Sequence, residues 1–264
     1  SFPEQVRFAG AEPVLVPTSG QDGFRLHAGP ILDAVTDRTR AILLNSPCNP
    51  TGGIVSAGDL REIVSAAAER GLLVLSDETY ERFVYDETHA SAASLATEFP
   101  ETVVLVGSFS KTYAMTGWRI GYVLGPQDVI RAVENIQSHA TSNPTSFAMV
   151  GALEALRHCE DSIGVMVAEY RARREMLIPR LNQLPGFRCE PPHGAFYAFP
   201  RVADAYRPGR EDSVAFAEFL LEKAGVAVVP GEAFGSDEHI RISFACSRAT
   251  LEEGLERMAA VLAD

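Results

Sequence analysis

Residues 102–125 read TVVLVGSFSKTYAMTGWRIGYVLG and contain the most informative pattern in the chain. Apolar runs over 102–108 and 119–125 predict two strands, and the polar turn between them carries Lys111. The chain has two lysines, Lys111 and Lys223, whereas arginine supplies every other fixed side-chain cation. A lysine can lose its proton and attack a carbonyl, whereas arginine stays charged. The turn is therefore a candidate for covalent chemistry.

The sequence around this turn predicts an α/β fold. Apolar runs over residues 13–18, 41–47 and 72–77 predict further strands. Residues 57–71 instead predict a helix, because their apolar residues recur at helical spacing. Continuous apolar strands separated by helices are typical of a mostly parallel sheet that is flanked by helices on both faces. Right-handed crossovers would then bring the loops after these strands to one edge of the sheet.

The second half of the sequence has a different pattern. Helices are predicted over 143–158 and 161–184, followed by a smaller α+β unit. That unit has predicted strands near 194–199, 226–230 and 239–244 and predicted helices over 212–225 and 249–263. We therefore predict a large domain over residues 1–160 and a small C-terminal domain over 161–264, with the boundary beside the long helix.

Composition excludes several classes of function. The 264 residues are 46% hydrophobic and 22% charged, which is typical of a globular protein. A formal net charge of −12 argues against nucleic-acid binding. No apolar run reaches the ~18 residues of a membrane span, so we expect no membrane partner. The cysteines and histidines show no ligand spacing, which predicts no metal site, and the scattered cysteines favour a reducing, cytoplasmic location.

Three predicted strands end in polar motifs. The first runs into NSPCNPTGG (45–53), the second into LSDETY (75–80) and the third into VGSFSK (106–111). In an open parallel sheet, ligands bind outside the carboxyl ends of the strands, so these motifs predict one site. Each motif also has a simpler interpretation: an ordinary turn, a helix-capping aspartate, and a surface loop.

The sequence resembles the class I/II, fold type I, pyridoxal-phosphate-dependent aminotransferases, within their aspartate aminotransferase-like branch. Five stretches carry this resemblance in family order over nearly the whole chain. They are NSPCNPTGG (45–53), LSDETYERFVYD (75–86), GSFSKTYAMTGWRIGY (107–122), PPHGAFYAFP (191–200) and RISFACS (241–247). The lysine-containing stretch is the most specific, whereas Asn-Pro-Thr-Gly alone is a weak signal.

The resemblance implies a role for each polar residue in the large domain. Lys111 matches the lysine that forms the internal aldimine with the cofactor and then shuttles a proton at the substrate Cα. Asp77 matches the carboxylate that keeps the pyridine nitrogen protonated. Asn49 and Tyr80 match the donors to the phenolic oxygen of the ring. Asn49 is also expected near the substrate.

The family pattern also implies where the phosphate of the cofactor binds. Ser108, Ser110 and Arg119 match its ligands, and the guanidinium of Arg119 offers two parallel hydrogen bonds to phosphate oxygens. Such a cationic site would bind an anionic ligand to a chain that is acidic overall.

In the predicted small domain, Arg241 matches the residue that binds the substrate α-carboxylate. The alternative interpretation is an exposed sheet arginine in a salt bridge. Phe196 and Tyr197 are interpreted as ordinary strand aromatics, although the family has this segment near the substrate.

The resemblance further implies that family members extend upstream of Ser1. That segment would supply a glycine-containing phosphate turn, an aromatic that stacks on the cofactor ring, and part of a homodimer interface. We therefore expect the complete protein to be a dimer and this chain alone to be a poor aminotransferase.

The implied activity is transfer of an amino group between an amino acid and a 2-oxo acid. Related carbanion chemistry, as in C–S lyases or aminocyclopropane-carboxylate synthases, uses the same cofactor and stays open. Two other hypotheses are an aminotransferase-like ligand-sensing domain and a catalytically silent fragment.

Overall fold

The computed structural model describes residues 2–263, which form alternating helices and strands. In chain order the elements are α1 Phe2–Phe8, α2 Ala28–Asp33, β1 Ala41–Asn45, α3 Ala57–Glu69, β2 Leu73–Asp77, β3 Val103–Ser108, α4 Phe109–Thr112, β4 Gly121–Leu124, α5 Gln127–Ala140, α6 Ser146–His158, α7 Glu160–Leu181, β5 Tyr197–Ala198, α8 Ser213–Phe219, β6 Val229–Pro230, β7 Ile240–Ser243 and α9 Arg248–Leu262. Within residues 2–263, no helix combines the length and the apolar character that crossing a bilayer requires.

The larger sheet has the strand order β1-β2-β3-β4. β1, β2 and β3 run parallel, and β4 pairs antiparallel with β3. The register sets Asn45 opposite Asp77 and Ser108 opposite Gly121, so β1 and β2 end together and the β3–β4 loop begins at the same edge. The predicted mostly parallel sheet flanked by helices is confirmed.

Helix α3 covers one part of this sheet, as its sequence predicts. The Ser56 side chain accepts a hydrogen bond from the Asp59 backbone N–H and caps the first turn. The apolar residues at helical spacing are buried against β1 and β2: Leu60, Ile63, Val64 and Ala67.

One predicted element of this half is wrong, and one observed helix was not predicted. The predicted strand over residues 13–18 is wrong, because the segment is irregular and Val14 and Leu15 are exposed. A strand needs a neighbour for its backbone hydrogen bonds, and none of the described residues pairs with this segment. Helix α5 has no counterpart among the sequence predictions, and none of its residues is buried.

The smaller sheet has the order β5-β7-β6 and is antiparallel throughout. Its register sets Tyr197 opposite Ser243 and Val229 opposite Arg241, and α7 and α9 pack against one another beside it. The α+β unit is thus confirmed, with shorter strands than predicted. One hydrophobic cluster combines Tyr80 and Phe83 with residues of this unit, so the boundary at residue 160 stays a prediction.

Candidate active site

The turn after β1 is held against the end of β2 by Asn45. The Asn45 Oδ1 accepts a hydrogen bond from the Asn49 backbone N–H at 2.9 Å, and its Nδ2 donates to the Asp77 carbonyl at 3.4 Å. Sequence reasoning misses Asn45, although a polar amide at the end of an apolar strand is a usable signal. This one side chain fixes the relative positions of two candidate site residues.

The same turn packs closely against the segment that precedes β5. Gly52 has a φ of +72°, and a Cβ added there would lie 2.4 Å from Pro192 Cβ and 2.6 Å from the Gly194 carbonyl oxygen. The Gly194 backbone N–H donates to the Gly52 carbonyl at 2.9 Å. Glycine is therefore required at 52, both by the left-handed backbone and by this close approach.

We expect Gly52→Ala to lower the free energy of unfolding by about 2–5 kcal/mol, from backbone strain and overpacking together. The matched control is Gly71→Ala. Gly71 has a φ of +63°, and a Cβ there would have no neighbour within 4 Å among the described residues. Urea unfolding should give the control a loss of only about 1–2 kcal/mol. Equal losses for both variants would contradict the close packing at Gly52.

Asp77 ends β2, and one of its carboxylate oxygens is used locally. Its Oδ1 accepts hydrogen bonds from Thr79 N at 3.1 Å and from Thr79 Oγ1 at 2.7 Å. No hydrogen bond from residues 2–263 reaches Oδ2, and the residue is half-buried. The simpler interpretation, a carboxylate that caps its own turn, therefore accounts for one oxygen and leaves the other free for a ligand.

Tyr80 lies in the loop after β2 and is buried. Its hydroxyl oxygen is 2.8 Å from the hydroxyl oxygen of Tyr197, and its ring meets the edge of Phe196 at a centroid separation of 5.2 Å. Burial, followed by the hydrogen bond with Tyr197, raises the pKa of Tyr80 well above its ordinary value of 10.0. Tyr80 is therefore a neutral hydrogen-bond donor at physiological pH and not a base.

Lys111 lies in α4, the short helix at the start of the connection from β3 to β4. Its Nζ is 5.9 Å from the centroid of the Phe196 ring. The Ser108 Oγ accepts a hydrogen bond from the Ser110 backbone N–H at 3.0 Å and caps the start of α4. The two serines and Lys111 are therefore held in a compact turn at the strand end.

Arg119 lies at the other end of this loop with a left-handed backbone, at φ 52° and ψ 53°. Its Nη1 donates to the Thr116 carbonyl at 2.8 Å, and Thr116 Oγ1 in turn donates to the Ser110 carbonyl at 2.9 Å. The side chain is exposed. A non-glycine residue in this conformation costs about 1–2 kcal/mol, and the loop tolerates that strain while holding the guanidinium beside the serine turn.

Arg241 extends from β7 toward the Asn49 turn. Its Nη1 donates to Asn49 Oδ1 at 2.9 Å, and its guanidinium carbon is 4.5 Å from the Tyr197 ring centroid. The Nε is buried and has no partner among the described residues. No carboxylate among residues 2–263 forms a salt bridge with Arg241. The alternative interpretation, a sheet arginine in a salt bridge, is therefore wrong for the described part of the chain.

Two aromatic side chains that were predicted only as strand residues link several of the predicted site residues. Tyr197 links Tyr80 to Arg241, and Phe196 lies between Tyr80 and Lys111. Ser108, Ser110 and Arg119 share the Lys111 loop, but no described side-chain contact joins Arg119 to Arg241. The site has three cations, Lys111, Arg119 and Arg241. None of them forms an ion pair with the described carboxylates, so they are able to bind an anionic ligand.

A buried carboxylate lies directly behind Asp77. Glu78 accepts hydrogen bonds from Ser76 Oγ at 2.9 Å and Ala92 N at 2.8 Å, and His89 Nε2 is 2.8 Å from its Oε2. Burial alone would raise the pKa of Glu78, but the hydrogen bonds from His89 and Ala92 lower it below its ordinary value of 4.5. Glu78 therefore anchors the loop behind the site while it is ionised.

We expect Glu78→Gln to lower the free energy of unfolding by about 1–3 kcal/mol near neutral pH, because it disrupts a satisfied buried network. The folded-state pKa is lowered, so the stabilisation is present above pH 4.5 and is lost as pH falls through the lower folded-state value. Urea unfolding at a series of pH values should show that the difference in free energy of unfolding between the unsubstituted chain and Glu78→Gln becomes smaller as the pH falls. The control is Glu62→Gln, on the exposed side of α3. A difference for Glu78→Gln that becomes larger in acid would contradict an ionised Glu78.

Comparison with known proteins agrees with the geometry. Residues 1–258 match the family described as aminotransferase class I and II. The chain is 43% identical over 261 residues to a probable aspartate/prephenate aminotransferase of Aquifex aeolicus, and 40% identical over 260 residues to the aspartate aminotransferase of Bacillus subtilis. Each match covers 98% of this chain and 66% of the relative, so the chain spans about two thirds of their length.

Solved structures give the same result. The aromatic aminotransferase of Pyrococcus horikoshii superposes with a TM-score of 0.92 at 42% identity, covering 99% of this chain and 70% of that one. The aspartate aminotransferase of Thermus thermophilus with maleate gives a TM-score of 0.90 at 38% identity, covering 99% and 67%. Both are fold type I structures, which confirms the predicted fold class. The chain therefore belongs to the class I and II aminotransferases.

Proposed function

We propose that this chain forms the main part of a pyridoxal-phosphate-dependent aminotransferase that transfers an amino group between an amino acid and a 2-oxo acid. The observation that carries the proposal is the arrangement of Asn49, Arg241 and Tyr80 in one hydrogen-bonded and stacked group, with Lys111 beside it. The named relatives are aminotransferases, which favours this reaction over a C–S lyase, a ligand-sensing domain or a silent fragment.

The residues present fit the cofactor because several of their polar groups have no ion-pair or hydrogen-bond partner among the described residues. The cofactor has an aldehyde, a protonated ring nitrogen, a phenolic oxygen and a phosphate. Three groups match these needs. Among residues 2–263, the Lys111 amine has no ion pair and one Asp77 carboxylate oxygen has no hydrogen bond. The guanidinium of Arg119 is exposed. The Nε of Arg241 is buried and has no hydrogen-bond partner in the described part of the chain, as expected of a group that binds a substrate carboxylate.

The proposed roles on the cofactor side follow from these donor sets. The Arg119 guanidinium and the hydroxyl groups of Ser108 and Ser110 bind the phosphate. The Asp77 carboxylate keeps the ring nitrogen protonated, and Asn49 and Tyr80 donate to the phenolic oxygen. When bound, pyridoxal phosphate supplies an aldehyde for the incoming amine and an electron-withdrawing ring.

The proposed roles on the substrate side fall to two cations. Arg241 binds the α-carboxylate, and its hydrogen bond to Asn49 Oδ1 orients the guanidinium for a second pair of bonds. The amine of Lys111 would hold the cofactor aldehyde and, when free, would move a proton at the substrate Cα. Phe196 is buried beside the lysine and would limit the access of water to that proton transfer.

We also infer that the complete protein is a cytoplasmic homodimer. Support for a dimer comes from apolar side chains that stay exposed on α6, including Phe147, Val150 and Leu156, since contiguous exposed apolar surface marks an interface. Support for a reducing compartment comes from the four cysteines, which are all free.

The test is to titrate the chain with pyridoxal phosphate while recording absorbance, and then to add single amino acids, beginning with aspartate and phenylalanine. The proposal predicts conversion of the cofactor to pyridoxamine phosphate with release of the matching 2-oxo acid. Pyruvate and ammonia formed from a β-substituted amino acid would favour the lyase. Absence of specific cofactor uptake would contradict the proposed function.

A further inference from the structure

Tyr197 connects the two halves of the candidate site and has no role in the proposed reaction so far. It is buried on β5 of the smaller sheet, whereas Tyr80 comes from the loop after β2 of the larger sheet. Its hydroxyl oxygen lies 2.8 Å from that of Tyr80, and its ring lies under the guanidinium of Arg241. Two different parts of one side chain therefore contact two different site residues.

The hydroxyl contact restricts where the two protons lie. A tyrosine hydroxyl has one proton to donate, and within residues 2–263 neither hydroxyl has another hydrogen-bond partner. If Tyr80 donates its proton to an acceptor in the site, it has none left for Tyr197. The hydrogen bond between the tyrosines must then run from Tyr197 to Tyr80, and a donor that also accepts is strengthened by the second bond.

The ring contact positions Arg241 from below. Its guanidinium carbon is 4.5 Å from the Tyr197 centroid and 5.2 Å from the Phe234 centroid, so two aromatic faces flank it. β5 and β7 are paired with Tyr197 opposite Ser243, which makes Arg241 the diagonal neighbour of Tyr197 on the same face of the sheet. The ring alone supplies this contact, and the hydroxyl is not needed for it.

We propose that Tyr197 is a positioning residue for both halves of the site, a proposal that rests on the proposed function. Its hydroxyl fixes Tyr80 as a donor toward the phenolic oxygen of the cofactor. Its ring fixes the guanidinium of Arg241 toward the substrate carboxylate. Because the two tasks belong to different atoms, they are separable by substitution.

The experiment compares Tyr197→Phe with Tyr197→Leu in the same chain. Tyr197→Phe keeps the ring and removes one hydrogen bond, so affinity for pyridoxal phosphate should fall about three- to tenfold. The absorbance change of the bound cofactor should also move to higher pH, since a weaker donor stabilises the ionised phenolic oxygen less. Binding of two unreactive carboxylates, maleate and 3-phenylpropionate, to the cofactor-loaded chain should stay within about twofold, whereas Tyr197→Leu should weaken it about three- to thirtyfold.

The control is Tyr170→Phe. Tyr170 stacks on Phe196 at a centroid separation of 5.1 Å, but its hydroxyl has no hydrogen bond among the described residues. Tyr170→Phe should leave cofactor affinity, the pH of the absorbance change and carboxylate binding unchanged. That result would separate the effect of the Tyr197 hydroxyl from a general effect on aromatic packing. An unchanged pH profile in Tyr197→Phe, or equal loss of carboxylate binding in both Tyr197 variants, would overturn the positioning role. Failure of the unsubstituted chain to bind pyridoxal phosphate would overturn the proposed function and this inference together.

Discussion

Replacing Lys111 with arginine should abolish covalent attachment of pyridoxal phosphate and slow transamination by about 10²–10⁴-fold, the usual contribution of a positioned proton-transfer group. Arginine retains the positive charge beside Phe196 but has no deprotonated amine with which to attack an aldehyde. The measurement is borohydride reduction in the presence of pyridoxal phosphate, followed by peptide mapping. The label should lie on the peptide that contains Lys111 and should be missing from the variant.

The chain supplies its own control for this experiment, because Lys223 is the other lysine. Lys223 is exposed on the π-helical turn Leu220–Ala224, beyond α8. Lys223→Arg should leave labelling and turnover unchanged. A label that persists in Lys111→Arg, or that moves to Lys223 in the unsubstituted chain, would contradict the assignment of Lys111.

Asp77→Asn should leave the fold intact and lower turnover by about 10²–10³-fold, the effect of removing one preorganised electrostatic group. The amide oxygen of asparagine can still accept the two hydrogen bonds from Thr79, so the turn after β2 keeps its shape. A neutral amide, however, cannot keep the ring nitrogen of the cofactor protonated. The change therefore removes charge without removing structure.

The measurement is a comparison of turnover, cofactor affinity and urea unfolding. Turnover should fall far more than cofactor affinity, because the proposed phosphate ligands are untouched. The free energy of unfolding should change by less than about 1 kcal/mol. Asp128→Asn, at the exposed start of α5, is the matched control and should change none of the three. Turnover close to that of the unsubstituted protein would exclude Asp77 from the proposed role.

The sheet edge could be predicted because its signals are local. Continuous apolar runs give β1, β2 and β3, and parallel strands bring their carboxyl ends together, so polar residues that follow the strands must meet. The error over residues 13–18 has the opposite cause. An apolar run shows that a segment is able to form a strand. Whether a neighbouring strand lies beside it depends on the whole fold, and none of the described residues pairs with this segment.

The connections within the site could not be predicted for a related reason. Tyr197 was predicted as a strand aromatic, and it lies on β5. The hydrophobic pattern does not predict the partner of its hydroxyl. That partner is Tyr80, which is 117 residues away in sequence. Asn45 and Glu78 are likewise single polar groups whose partners are known only once the turns around them are folded.

The β3–β4 loop has a consequence for the order in which the site assembles. Ser108 and Arg119 are 11 residues apart (119 − 108) in a loop closed by the pairing of Ser108 with Gly121, whereas Asn49 and Arg241 are separated by 192 residues. Closing the longer loop costs about 2.5 kcal/mol more in chain entropy. A refolding chain should therefore regain its proposed phosphate-binding half first and its proposed carboxylate-binding half last. If the proposed role of Arg241 is correct, recognition of the amino acid then requires that the chain has folded through to β7.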